Sequence, residues 1–499
     1  MYSMTLKQLC QLLADKDLLK EPLKTNQLND YDFTYLSYDS RDLAENTLFF
    51  CKGNNFKKAS LQDAINKGVE VYVSEIKYDT TAQAVIVSDI RKTMAIIAQS
   101  FYHNPQDKLY KIGITGTKGK TTTAYFVKKM LDDAFDKKVA LFSSEETTLD
   151  GTTFFPSKLT TPEALDIYRQ MAIACQNGLT HLVMEVSSQA YKTQRVYNLT
   201  FETGVFLNIS PDHISPIEHP TFEDYFNCKR QLLLNSKQMV INYESDQFSI
   251  LEKTCQDHQI PLYTYGHKNG TYRIIDKTKE RSFQLTAANK DTLNMNGTYR
   301  LSLFGQFNHE NAAAAILVCG LANATKETCQ ESLPLTQIPG RMNLLEKTNG
   351  AYIFVDYAHN YLSIHSIGQF AHELRPNGRT IIVTGSAGGK AISRRPDIGK
   401  ALSECADIAI LTSDDPDFED PADIAAEIKA AITNPKVEIQ SALDRTSAVT
   451  SAFNQAQAND TVIIAGKGIE KMMKYKGKEL PYEGDFHIVK RLINEEEKK

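Results

Sequence analysis

Residues Thr115 to Thr122 read TGTKGKTT and lie between an apolar run, Leu109 to Thr115, and a helical pattern that begins near Thr121. Glycines let backbone N–H groups approach phosphate oxygens, and the following helix N-terminus adds positive potential. A lysine at Lys120 reaches β- and γ-phosphates, and a hydroxyl at Thr121 holds Mg2+. The segment predicts a phosphate loop built from Gly116, Thr117, Lys118, Gly119, Lys120, Thr121 and Thr122. Ile114 stands where the usual spacing has its first glycine, so this loop is shorter than the standard pattern. A second apolar run, HLVMEV, delivers Glu185, a carboxylate placed to hold Mg2+ beside a nucleotide. A third ends in Asn208-Ile209-Ser210-Pro211-Asp212-His213, with His219 and Lys229 further on. Histidine ligates metal or steers phosphate, and Lys229 offsets developing negative charge. Polar groups close three later apolar runs in the same way: Asp356 to His359, Thr412 to Asp417, and Gly466 to Glu470.

The elements that carry these groups follow from the pattern around them. Short apolar runs alternate with helical stretches, and the runs from residue 109 onward are nearly continuous in apolar residues. That combination predicts an α/β fold with mainly parallel sheets covered on both faces. Ligands in such sheets bind outside the carboxyl ends of the strands, where every group named above falls. The rhythm breaks at His103-Asn104-Pro105 and again at Ile338-Pro339-Gly340, which divides the chain into domains 1–108, 109–336 and 337–499. The helix after the phosphate loop places Ala124, Val127, Met130, Leu131 and Ala134 on one face.

Composition narrows the function classes. The chain has 499 residues, 42% apolar and 23% charged, with a net charge of −5, which argues against a general nucleic-acid surface. No apolar run approaches the roughly 20 residues that span a bilayer, and the N-terminus lacks the basic and apolar regions of a secretory leader. The eight cysteines are scattered with no Cys-x-x-Cys pair, as expected of reduced thiols in the cytoplasm.

Taken in order, GTKGKTT (116–122), MEVSS (184–188), NISPDH (208–213), the Lys229 segment, GQFNHEN (305–311), PGR (339–341), DYAH (356–359), RRP (394–396) and GKGIE (466–470) resemble the Mur ligase family over essentially the whole chain. Within it they resemble the MurE type, which adds the third residue of the peptidoglycan stem peptide. The resemblance implies a UDP-sugar (UDP-MurNAc) binding N-terminal domain, a central ATPase domain and a Rossmann-like C-terminal domain that binds the incoming amino acid. It implies ATP and Mg2+ as cofactors, an acyl-phosphate intermediate, and small-molecule partners with no nucleic acid, no membrane insertion and a monomeric chain. Lys120, Glu185, His213 and Lys229 would be the catalytic groups, with Lys229 carried as a carbamate that joins Thr121, Glu185 and His213 around the metal. Asn308 and Asn311 resemble adenine contacts, and Arg341 with Asp356 resembles groups closing on ATP from the C-terminal side. Ser40, within Asp39-Ser40-Arg41, resembles the uridine-nucleotide site, and Thr160, Thr161, Ser187 and Arg195 resemble contacts to the muramoyl peptide.

Diaminopimelate-adding members carry Asp-Asn-Pro-Arg, whose arginine clamps the distal carboxylate. Here the stretch is Asp414-Asp415-Pro416-Asp417. An acid in place of the arginine removes a bidentate clamp and introduces repulsion. With Asp414, Asp417 and Glu470 as acidic walls and Glu419 and Asp420 around them, the expected substrate is L-lysine, joined to UDP-N-acetylmuramoyl-L-alanyl-D-glutamate. Lys390, Arg394 and Arg395 are alternative holders of its α-carboxylate. Departures from the commoner pattern are Gln189, Asn360-Tyr361 and Ile469, none of which removes the phosphate loop or the metal carboxylate. The competing readings are a ligase adding diaminopimelate or another diamino acid, a folylpolyglutamate synthase-like ligase and a non-catalytic nucleotide-binding regulator. The long segment before the phosphate loop speaks against the second, and the number of reactive groups against the third.

Overall fold

A computed structural model describes all residues except 1, 22, 24–30, 54–55, 213, 216–217, 278–280, 304, 390–391 and 499. Near the N-terminus, β1 (Tyr35–Ser37), β2 (Thr47–Phe50), β3 (Val71–Ser74) and β4 (Gln83–Ile86) pair in parallel in that order. Helix Ile90–Phe101 follows, started by the Asp89 carboxylate, which accepts from the backbone N–H groups of Arg91 and Lys92.

The central sheet has 11 strands. In chain order they are β5 (Tyr110–Thr115), β6 (Val139–Phe142), β7 (Glu146–Thr148), β8 (Phe154–Pro156), β9 (His181–Glu185), β10 (Thr203–Phe206), β11 (Met239–Asn242), β12 (Leu262–Gly266), β13 (Tyr272–Lys277), β14 (Ser282–Ala287) and β15 (Gly297–Arg300). Across the sheet the order is β8-β7-β6-β9-β5-β10-β11-β12-β13-β14-β15. From β6 to β13 the pairing is parallel, and residues alternate between two cores. Ile112, Ile114, Leu141, Val183 and Val205 face α1 (Lys120–Ala134) and α4 (Gln306–Leu321). Ala140, Phe142, Leu182 and Met184 face helix Ala164–Gln176 and helix Ile90–Phe101. Burial on both faces is why these strands read as unbroken apolar runs. Two short helices of the site, α2 (Ser188–Lys192) and α3 (Phe222–Leu234), follow β9 and β10.

The sheet departs from strand–helix alternation at its two margins. β7 and β8 form an antiparallel hairpin, and β13, β14 and β15 form an antiparallel meander. Residues of the meander alternate in burial, as in β13 (buried Tyr272 and Ile274, exposed Arg273 and Ile275), because only one face is covered.

The C-terminal sheet comprises β16 (Asn343–Glu346), β17 (Tyr352–Asp356), β18 (Thr380–Thr384), β19 (Ile408–Leu411), β20 (Glu438–Ser441) and β21 (Thr461–Ala465), in the order β16-β17-β21-β18-β19-β20. Only β16 is antiparallel. A turn joins β16 to β17, and the later connections are helices, among them α5 (Arg394–Cys405) between β18 and β19. A hairpin of β22 (Met472–Tyr475) and β23 (Lys478–Pro481) precedes the last helix. Among the described residues no helix is long and apolar enough to cross a membrane.

Candidate active site

β5 ends at Thr115, the chain turns through Gly116 to Gly119, and α1 opens at Lys120. Gly119 sits at φ 84°, a left-handed backbone, and a Cβ there would lie 2.2 Å from Asn311 Oδ1. Both facts require glycine. Asn208, just past β10, clamps the turn. Its side chain accepts from the Lys118 N–H at 2.9 Å and donates to the Lys118 carbonyl at 3.2 Å. Its own carbonyl accepts from the Thr117 N–H at 3.0 Å. The Ser210 N–H donates to Thr117 Oγ1 at 3.1 Å. The Lys120 ammonium folds back on the loop and donates to the carbonyls of Gly116 at 3.0 Å and Thr117 at 3.3 Å. Thr121 and Thr122 are buried in the first turn of α1.

Cations crowd this loop. Lys229, on α3, is 2% exposed and donates to the Gly116 carbonyl at 2.9 Å. Burial, with the ammonium groups of Lys120 and Lys118 nearby, holds its pKa well below the usual lysine value. A neutral amine is the form that captures carbon dioxide, so this environment suits the carbamate. Burial likewise brings Lys118 down to about 8 and lowers Lys120. Asp212 is the nearest counter-charge, 3.5 Å from Lys118 Nζ.

Glu185, at the end of β9, is 0% exposed. Its carboxylate accepts from the Ser144 N–H at 2.8 Å and the Ser144 hydroxyl at 3.0 Å. A buried carboxylate next to a phosphate loop that opens with the Thr121 hydroxyl is the hard oxygen donor set that Mg2+ favours. As an ammonium Lys229 offers no ligand atom; as a carbamate it would. His213 lies outside the described residues.

Thr161 joins this carboxylate to the neighbouring segment. Its hydroxyl donates to the Glu185 carbonyl at 2.9 Å and accepts from the Ser187 N–H at 3.0 Å. Thr160 Oγ1 lies 3.0 Å from the Ser144 hydroxyl. Arg195 donates to the Thr161 carbonyl at 3.0 Å and lies 3.4 Å from Glu163. Glu163 also pairs with Lys52 at 2.9 Å. Lys52 and Arg91 line a cleft of about 740 Å3 with Tyr38, Ser40 and Arg41, so a row of polar groups runs from the Ser40 cleft toward Glu185.

His219 does not face the phosphate loop. Its ring is fully buried, with Nε2 2.9 Å from Ser188 Oγ and Nδ1 2.6 Å from Asp224 Oδ2. It ties α2, after Glu185, to α3, which carries Lys229.

The C-terminal sheet closes the site. Asp356, at the end of β17, accepts from the Met342 N–H at 2.8 Å and the Ala358 N–H at 2.7 Å, which shapes the turn holding Arg341. Burial raises its pKa, against the pull of Arg341. The Arg341 guanidinium stacks 4.9 Å from the Tyr357 ring and lies 3.8 Å from Glu145 of the central sheet. Burial pushes the Glu145 carboxyl up to about 7. Arg394 crosses the same boundary and donates to Asp212 at 2.7 Å. Asn311 presses against the phosphate loop at Gly119 and donates to Asn308 at 3.3 Å.

The acidic residues of the C-terminal rim are not equivalent. Asp417 Oδ2 pairs with Lys474 at 2.8 Å and Oδ1 accepts from the Gly477 N–H at 2.7 Å. Its carboxylate is thereby engaged by the β22–β23 hairpin. Asp415 and Glu470 both contact the buried Lys467 ammonium. Asp414 is 9% exposed, with the Arg445 and Lys467 cations acting on its carboxylate. Burial pushes it up to about 6. Asp414, Asp415 and Glu470 around one Lys467 leave a net negative seat. Of the cations considered for the substrate α-carboxylate, Arg395 is 1% exposed and held by Glu419 at 2.8 Å and Glu427 at 3.1 Å. Arg394 is on Asp212, and Lys390 lies outside the described residues.

Sequence reasoning overlooked Glu145, Ser188, Asp224 and Lys467 as a group. The available signal for Glu145 was the Glu145-Glu146 pair directly after an apolar strand. The others are read only once α2, α3 and the hairpin are packed.

The Mur ligase middle domain family matches residues 114–319, and the Mur ligase glutamate ligase domain family matches residues 340–468. The UDP-N-acetylmuramoyl-L-alanyl-D-glutamate--L-lysine ligase of Enterococcus faecalis is 49% identical over 495 residues, covering 97% of each chain. A solved structure of a UDP-N-acetylmuramoyl-L-alanyl-D-glutamate--2,6-diaminopimelate ligase superposes with a TM-score of 0.66 at 23% identity, covering 100% of each chain. The MurF ligase of Thermotoga maritima, solved in complex with ADP, superposes with a TM-score of 0.62 at 17% identity, covering 93% of this chain and 98% of that one.

Proposed function

This chain belongs to the Mur ligase family, and from that premise we propose how its residues divide the work of joining L-lysine to UDP-N-acetylmuramoyl-L-alanyl-D-glutamate at the expense of ATP. It is an ATP-dependent acid–amino-acid ligase of peptidoglycan precursor synthesis. The observation that carries the division of labour is the meeting of two strand-end rims. The phosphate loop of the central sheet faces Arg341 and Arg394 of the C-terminal sheet, whose acidic pocket lies on the same side.

A carboxylate is a poor electrophile. The γ-phosphoryl group of ATP passes to the terminal carboxylate of the nucleotide-dipeptide, giving an acyl phosphate and ADP. The amine of lysine then attacks the acyl carbon, phosphate departs and the amide forms. Gly116 to Thr122 cradle the phosphates, and Lys120 moves from its own loop carbonyls onto phosphate oxygens. Asn308 and Asn311 brace the nucleotide side, and Arg341 with Asp356 closes it. Mg2+, when bound, neutralises phosphate charge, and Thr121, Glu185, His213 and carbamylated Lys229 would hold it. Thr160, Thr161, Ser187 and Arg195 orient the peptide, while Ser40 and its cleft take the uridine nucleotide. Asp414, with Asp415 and Glu470, receives the side-chain ammonium of lysine. Asp417 contributes by holding the hairpin and by not being an arginine.

On this reading residues 1–108 bind the nucleotide sugar, 109–336 bind ATP and 337–499 seat the amino acid. The reactants approach from separate units, so productive geometry requires the rims to close. The chain works as a monomer in the cytoplasm, where ATP and nucleotide sugars are supplied. The test is phosphate release by the purified chain with ATP and Mg2+. Release requires nucleotide-dipeptide and lysine together, and Lys120→Ala abolishes it; full turnover in that variant would refute the phosphate-loop assignment.

A further inference from the structure

Arg394 opens α5 of the C-terminal sheet, yet its guanidinium lies beside the phosphate loop of the central sheet. Its Nη2 donates to Asp212 Oδ1 at 2.7 Å, and the other oxygen of Asp212 is 3.5 Å from Lys118 Nζ. The Nε–H groups of Arg394 and, on the same rim, Arg341 are buried and meet no acceptor among the described residues. A buried donor without a partner is costly, and an arginine fork is shaped to give Nε and Nη donors together to one anion. Lys118, Lys120, Arg341 and Arg394 therefore converge beside the loop, where Asp212, Glu145, Glu185 and Asp356 face them. Two arginine forks on this rim thus hold a donor ready for an oxyanion that arrives at the loop.

We propose that Arg394 contacts the phosphoryl group during its transfer: ATP binding exchanges the Asp212 carboxylate on its guanidinium for a γ-phosphate oxygen. The inference rests on the ATP-loop reading given above. In the step itself the bond between the γ-phosphorus and the β,γ-bridging oxygen breaks, its electron pair leaves with ADP, and a new bond forms to the substrate carboxylate oxygen. No proton moves. Arg394 spans the oxygens that carry charge in the transition state, while Asp212 stays with Lys118. The cation reaches the loop only when the C-terminal sheet lies against the central sheet. Phosphoryl transfer is thereby coupled to the seat of the amino acid.

The test compares full-length Arg394→Ala, Arg394→Lys, Asp212→Asn and the double variant Arg394→Ala/Asp212→Asn. Arg394→Ala is expected to lose about a thousandfold in kcat, with the KM for ATP and the Kd for ADP·Mg2+ changed less than threefold. Binding of ADP·Mg2+ with aluminium fluoride, which mimics the phosphoryl group in flight, weakens at least tenfold. Arg394→Lys recovers part of kcat, and Arg394→Ala still costs activity in the Asp212→Asn background. A latch between sheets gives a different pattern. Arg394→Ala then resembles Asp212→Asn, the double variant is no worse than either, and ADP is lost in step with its fluoride complex. That pattern overturns the inference. If Arg394→Ala melts early, the ratio of the two affinities below its melting temperature still separates the cases. Lys120→Ala is measured alongside: retained turnover there refutes the ATP-loop reading, whereas retained turnover in Arg394→Ala alone refutes only the role of Arg394.

Discussion

Burial pushes the Asp414 carboxyl up to about 6, against the pull of Arg445 and Lys467. The folded value is raised above the ordinary carboxylate value, so the folded state holds this proton more tightly than the unfolded chain does. Stability from the protonated form is present in full below about pH 4 and is lost as the pH rises through 6. Asp414→Asn copies the protonated form. It is expected to raise the melting temperature at pH 8, by an amount on the order of 3 kcal/mol in unfolding free energy, and to leave stability at pH 4 nearly unchanged. Lysine binding has the opposite sign. The ionised carboxylate attracts the ammonium, so the KM for lysine in the wild type falls as the pH rises from 5 to 7. In Asp414→Asn the KM is high and flat across that interval. Steady-state kinetics at fixed ionic strength measure it, and a wild-type KM that does not move removes Asp414 from the lysine seat. Lys229 offers a second check, because its neutral amine and carbon dioxide are both needed for the carbamate. Depleting carbon dioxide is expected to lower turnover, bicarbonate to restore it, and intact-protein mass spectrometry to find the adduct in the wild type and not in Lys229→Ala.

At the scale of elements, the strand, turn and helix around residues 115–122 were legible in the sequence because their geometry is local. Two glycines, two lysines and the hydroxyls of a helix start need only each other and the strand before them. Gly119→Ala tests that locality. The φ of 84° and the 2.2 Å approach to Asn311 both oppose a methyl group, so ADP affinity is expected to drop at least tenfold with the fold retained, as titration calorimetry and circular dichroism would show. The margins of the central sheet were not legible in the same way. Strand–helix alternation describes β5, β6 and β9 to β12, whose strands are largely buried, whereas the β7–β8 hairpin lies outside it and β13 to β15 are one-sided and follow a period of two. Asp417 shows the limit for single residues. Its acidic identity was readable, but its engagement by Lys474 and the Gly477 N–H depends on a hairpin about 60 residues on. The buried pair of Arg445 and Asp485, at 2.8 Å, was likewise invisible until the last helix was docked. Arg445 also donates to the carbonyls of Ser413 and Ala465, which fixes the ends of β19 and β21 around the acidic pocket. Arg445→Ala leaves a buried carboxylate unpaired. A loss of about 3–5 kcal/mol is expected in urea unfolding, and a loss under 1 kcal/mol would contradict that role for the pair.

On the scale of the whole molecule, the chain sets the rim that carries residues 115–122 and an acidic rim face to face, with Arg341 and Arg394 crossing between them. Strand ends were a sound guide to both rims, since the topology of parallel sheets places loops on one side whatever the residues are. Which loops meet across the boundary was beyond the sequence. Glu145 against Arg341 and Arg394 against Asp212 depend on the packing of one sheet on another, and no local spacing encodes that. The arrangement has one decisive chemical consequence. On the proposed reading, a guest with a terminal ammonium would be drawn to Asp414, Asp415 and Glu470, and a guest with a second carboxylate at the same end would be repelled. The direct measurement is kcat/KM for L-lysine and for meso-diaminopimelate in the same phosphate-release assay, with saturating ATP and nucleotide-dipeptide. Lysine is expected to be favoured by at least a hundredfold; equal efficiency, or a preference for diaminopimelate, would contradict selection by the acidic rim.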